Sequence, residues 1–111
     1  MRDDRARLHD MIACIENIEK YAAHGRDRFI NDELVGTYIL HHLQILGEAG
    51  TKLTPELRGR HQEVPWPRVL GMRHVIVHDY FRVDYDIVWD VVQKELPILK
   101  AQLQSILKSL Q

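Results

Sequence analysis

The sequence predicts an all-α protein, an antiparallel bundle of four main helices plus one short helix. Three observations lead there. Ala, Leu, Ile, Glu, Lys, Gln and Arg dominate the composition, and these residues favour helix. Apolar residues recur at spacings of three and four, the period of a helix with one buried face. The two-residue alternation of a half-buried strand is not evident in any segment. Glycine (6) and proline (4) leave little room for long disordered linkers in 111 residues. That length suits a single domain over 1–111, and an apolar share of 45% is enough for a core.

The first helix is expected from about Asp4 to Ala23. Leu8, Met11, Ile12, Ile15, Ile18 and Ala22 form its stripe, Asp3 or Asp4 its cap, and Gly25 its end. Cys14 lies on that stripe and reads as a small buried thiol. As the lone cysteine it has no disulfide partner within the chain. The stretch GRDRFINDE reads as a connection, with Phe29 and Ile30 tucked onto the core.

A second helix spans about Asp32 to Lys52, with Leu34, Val35, Tyr38, Ile39, His42, Ile45, Leu46 and Ala49 as its apolar face. Gly36, Gly47 and Gly50 are unfavourable in a helix unless another backbone must come close. His41 and His42 point about 100° apart, so they make no i,i+4 metal pair and read as surface or boundary residues. TPELRGRH has the signature of a short helix, with Thr54 as cap, Pro55 in the first turn and Gly59 as a stop. The next helix opens at Trp66–Pro67 and carries Val69, Leu70, Met72 or Arg73, Val75 and Ile76. Asp84 caps the last segment, whose stripe runs Ile87, Val88, Val91, Val92, Leu96, Leu99, Leu103, Ile106, Leu107, Leu110. Pro97 lies inside it and predicts a kink or split near Glu95–Pro97.

The N-terminus MRDDRARLHD is charged, unlike a signal peptide, and no apolar run approaches the roughly 18 residues of a membrane span. The expected location is cytoplasmic. Net charge is −1, but the charges are unevenly spread. Between Arg58 and Arg82 lie five arginines (58, 60, 68, 73, 82) and three histidines (61, 74, 78) against two acids, Glu63 and Asp79. Such a stretch suits a phosphate, or is a solvated charged surface.

GMRHVIVHDYF, residues 71–81, concentrates the chemistry. Histidine titrates near neutrality and moves protons; arginine is always cationic and forks onto phosphate oxygens. Arg73 and His78 together suit a reaction at phosphorus, such as attack of an RNA 2′-hydroxyl on its own phosphodiester, which needs no metal. On a regular helix the two would point about 140° apart. They converge if the helix ends near Val77–Asp79, or if Arg73 reaches along its own turn. One chain looks short of parts, and a two-fold dimer would pool two copies. The bland alternative is a histidine at a helix end, near the dipole, with a surface arginine.

The chain resembles the HepT-like toxins of the HEPN superfamily. RLHDMIACIENIEKY, LQILGEAGTKL and VPWPRVLGMRHVIVHDYFRVDYDIVWDVV carry the likeness, which covers most of the chain. Its strongest motif is arginine, four residues, histidine, any residue, tyrosine: Arg73, His78, Tyr80. The resemblance implies a HEPN-like homodimer that cleaves RNA, tRNA or mRNA, without metal or cofactor, with Arg73 and His78 catalytic in a shared cleft. It also implies a toxin–antitoxin pair, in which a minimal nucleotidyltransferase antitoxin transfers AMP onto Tyr80 and blocks the cleft with charge and bulk. Tyr80 could equally be a half-buried aromatic capping a turn. Many relatives have asparagine after the arginine; here it is His74, which either holds substrate phosphate, orients His78 or faces solvent. Glu48, in the motif Gly47–Glu48–Ala49, either orients Arg73 through a salt bridge or is an exposed acid. The alternative to an RNase is an inactive helical binding module that docks a nucleotidyltransferase.

Overall fold

The computed structural model describes residues 3–78 and 84–110, and of residues 74–78 the backbone only. Among the described residues all regular structure is helical. The elements are α1 (Asp4–Ala22), α2 (Arg26–Asn31), α3 (Glu33–Thr51), α4 (Pro55–Arg60), α5 (Trp66–His78), α6 (Tyr85–Asp90), a π turn (Val91–Glu95) and α7 (Leu96–Ser109). The expected bundle is present: α3 packs against both α1 and α5, and α1 also packs against α7.

Local chemistry sets the helix starts. Asp3 accepts the Ala6 N–H, Thr54 the Leu57 N–H, and Asp84 the N–H groups of Asp86 and Ile87. Asp32 does the same for α3, accepting from Leu34 and Val35. Two ties join the first half of the chain: Thr54 donates its N–H and hydroxyl to the two oxygens of Asp4, at 2.9 and 2.7 Å. Lys100 binds Glu19 at 2.7 Å and fixes α7 on α1.

The segment expected to be a connection is a helix, α2. Gly25, at φ 98°, turns the chain into it, and Asp32 ends it while capping α3. Phe29 is buried, as expected, and stacks beside Trp89. Cys14 is buried too, and burial, followed by the charge of Asp10, pushes its thiol up from the usual range.

The inward face of α3 is rotated from expectation. Leu34 is 82% exposed and Ile45 lies at the surface, whereas Leu40 and Leu43 are buried with Val35, Ile39, Leu46 and Ala49. The reason is the glycines. A Cβ on Gly36 would meet the Phe29 carbonyl at 2.9 Å, and one on Gly47 would meet the Arg73 backbone nitrogen at 2.8 Å. Gly47 and Gly50 therefore seat α5 directly on α3. Gly47 lies against Arg73 and Gly50 against Leu70, so the two helices run antiparallel.

The break expected near Pro97 is a π turn. Leu96 donates its N–H to the Val91 carbonyl, five residues back. Pro97 has no N–H to offer the turn before it and sits in the first turn of α7, where none is required.

Candidate active site

Arg73 stands on α5 where that helix touches α3 most closely. Glycine at 47 removes the side chain that would hold the helices apart. The next residue on α3, Glu48, then reaches Arg73: Nη1 donates to Oε1 at 3.3 Å. Of the two expected alternatives for Glu48, the salt bridge is the one found. The pair is open to solvent, with side chains 35% (Arg73) and 50% (Glu48) exposed, so its net contribution to stability is small. Only Nη1 is engaged among the described residues, which leaves the rest of the guanidinium fork for an anion.

The α5 backbone is helical through His78, where the described part of the helix stops. The side chains of His74 and His78 lie outside the described residues, as does Tyr80 altogether.

The basic stretch around the site is partly neutralised within the fold. Arg68 on α5 donates to Glu95 in the π turn at 2.7 Å, and His61 lies 3.3 Å from Glu63. Among the described residues, no group of three or more His, Cys, Asp or Glu side chains could hold a metal ion. No helix there is long and apolar enough to cross a membrane.

An apolar face flanks the site. Ile87 on α6 and Ile98 on α7 are 61% and 62% exposed. A groove of about 350 Å³ lies between α3, α5 and α6, lined by Leu43, Met72, Ile87, Val88 and Val91.

The sequence profile described as ribonuclease HepT-like matches residues 11–106. The chain belongs to the ribonuclease HepT-like family. Relatives include a protein of Caldanaerobacter subterraneus, named a candidate RNase, 35% identical over 90% of this chain and 89% of its own. A second candidate RNase, from Methanocaldococcus jannaschii, is 30% identical over 99% of this chain and 96% of its own. A protein of Thermococcus cleftensis named a probable ribonuclease HepT is 29% identical over 96% of this chain and 98% of its own. No solved structure matches the chain significantly. The HepT-like family match spans α1 through α7 and so includes both halves of the Arg73–Glu48 pair.

One residue of interest escaped sequence reasoning. His42, expected to be bland, stacks on Tyr38 with ring centroids 4.0 Å apart, and its Nδ1 lies 2.9 Å from the Tyr38 carbonyl oxygen. The i,i+4 spacing of two aromatic rings was the available signal.

Proposed function

We propose that this HepT-like protein is a metal-independent endoribonuclease. In this reading the 2′-hydroxyl of a ribose loses its proton to a base and attacks the adjacent phosphorus. The new O2′–P bond forms as the P–O5′ bond breaks, and the leaving 5′-oxygen takes a proton. The products are a 2′,3′-cyclic phosphate and a 5′-hydroxyl. His78 is the acid–base group and Arg73 the clamp that meets charge growing on the phosphoryl oxygens. His74 adds a substrate contact.

The observation that carries the reading is the Arg73–Glu48 arrangement. Across a glycine contact the Arg73 guanidinium spends one donor on Glu48 among the described residues, five residues before His78 on the same helix, in a chain of the HepT-like family. Two further parts belong to the proposal. The active unit is a homodimer that pools two Arg73–His78 sets, and the exposed Ile87, in a groove shared with Met72, supports a second copy there. The protein is the toxin of a pair whose antitoxin, a minimal nucleotidyltransferase, silences it by placing AMP on Tyr80.

The test is cleavage of total RNA and tRNA by the purified protein in EDTA, with Arg73→Ala and His78→Ala beside it. Each substitution is expected to lower cleavage at least about a hundredfold, the lower range for removing an acid–base or charge-stabilising group. Cleavage by His78→Ala at the parental rate would end the proposal. Co-expression with a minimal nucleotidyltransferase of the kind proposed should raise the mass by one AMP, and Tyr80→Phe should abolish the increase. A mass increase and a stable complex without any cleavage by the parent would favour the binding-module reading instead.

A further inference from the structure

A groove of about 340 Å³ runs between α1 and α3, on the side of α3 that carries Glu48. Arg7, Asp10, Asn17, His42, Glu48 and Lys52 supply its polar lining. Asp4 binds Thr54 at one end of the helix pair and Tyr21 packs on Tyr38 toward the other, so α1 and α3 are antiparallel. That register sets Asn17 level with His42 and Arg7 level with Lys52.

The groove has two chemically distinct ends. At one, Tyr21, Tyr38 and His42 form a column of rings, with centroids 4.2 and 4.0 Å apart in turn. Its last ring, His42, lines the groove. A carbonyl oxygen only accepts, so the contact to Tyr38 puts the proton of neutral His42 on Nδ1. Nε2 is then an acceptor, without a partner among the described residues. At the other end stand two cations, Arg7 and Lys52. The Arg7 Nε is buried in the fold with no hydrogen-bond partner among the described residues. Between the ends lie two carboxylates, Glu48, whose charge is met by Arg73, and Asp10 on α1. Ten residues of α3 separate His42 from Lys52, about 15 Å of helix, which accommodates on the order of two to three nucleotides.

We propose that this groove is a subsite for single-stranded RNA, with a nucleobase stacked on the end of the ring column at His42 and a backbone phosphate between Arg7 and Lys52. A stacking surface at one end and cations along the backbone path are how proteins hold single strands without reading a duplex. The acceptors Nε2 of His42 and the Asn17 side chain give base edges something to meet. Glu48 joins the groove to Arg73, so a strand lying in it passes the arginine that holds the reacting phosphate. The subsite rests on the ribonuclease reading and deepens it: it makes the preferred substrate an unpaired strand several nucleotides long.

The experiment compares kcat/KM on a ribodinucleotide with that on a fluorescent single-stranded ten-nucleotide RNA. It uses the parent, Arg7→Ala, His42→Ala, His42→Phe and Lys52→Ala, each checked for parental helicity. The parent is expected to favour the longer RNA. His42→Ala should lower that preference about tenfold, and His42→Phe should restore most of it by keeping a stacking face. Arg7→Ala and Lys52→Ala should lower it too, and should flatten its decline with salt. An unchanged preference in all four variants overturns the subsite. If the parent cleaves neither RNA, the ribonuclease reading falls separately. The subsite is then judged by fluorescence anisotropy of the same oligonucleotide: binding weakened about tenfold by His42→Ala supports it, and binding unaffected by all four variants, or none by the parent, overturns it.

Discussion

At the scale of single residues, Gly47 has the widest consequences. A methyl group there would sit 2.8 Å from the Arg73 nitrogen and 3.3 Å from the Leu70 carbonyl, both backbone atoms that cannot swing aside. Gly47→Ala is therefore expected to destabilise the chain by about 1–3 kcal/mol, the usual cost of overpacking. Urea denaturation measures this. The same displacement moves Arg73 away from Glu48, so RNA cleavage should fall further than the unfolded fraction explains. A cleavage rate that simply tracks folded protein would show that the close contact serves stability alone. Gly59 offers the contrast, because a Cβ there meets nothing within 4 Å.

At the scale of elements, the sequence located α1 and α3 to within a residue at each end, and the starts of α5 and α6, from their stripes and from caps such as Asp3, Asp32 and Asp84. What it concealed has physical causes. Helix α2 has six residues, too few to display a period, and its sole buried side chain is Phe29. The stripe on α3 was read too far toward Leu34 and Ile45 because three of the positions it buries are glycines, which add nothing to an apolar pattern. The widened turn before Pro97 was legible as a break, though not as a five-residue loop of hydrogen bonding. Around the site, Arg73 and Glu48 were legible from the motif, whereas the Tyr38–His42 stack needed the helix to be built before the rings could be seen to meet. The joint between α2 and α3 also carries a pH dependence. The Arg28 side chain, followed by the N–H of Val35, holds the Asp32 carboxyl below its usual range. A depressed carboxylate stabilises the fold above its unfolded pKa, and that share is lost as pH falls through the folded value. Asp32→Ala should thus lower Tm at pH 7. Its gap to the parent should close when the pH drops well below about 4, the ordinary carboxylate range. A gap that stayed constant down to pH 2 would assign the effect to helix propensity rather than to the charge.

At the scale of the whole molecule, the chain folds into a body of 41 × 27 × 25 Å with α3 at its centre. Its described surface is not uniform. Ile87 lines the apolar groove and Ile98 a second groove that shares Arg68 and Met72 with it, and both would be better covered. The proposed dimer uses this face, and Ile87→Lys should break it. Sedimentation should then show monomers that keep parental helicity and lose cleavage together. Active monomers would separate the chemistry from assembly, and the pooled-site proposal would fail.

The carboxylate of Glu48 gives the guanidinium of Arg73 somewhere to rest when no substrate is present. On the proposed reading an arriving phosphodiester has to take the place of that internal anion, and a departing product is replaced by it. The protein would then hold its ligand loosely by construction, favouring turnover over capture.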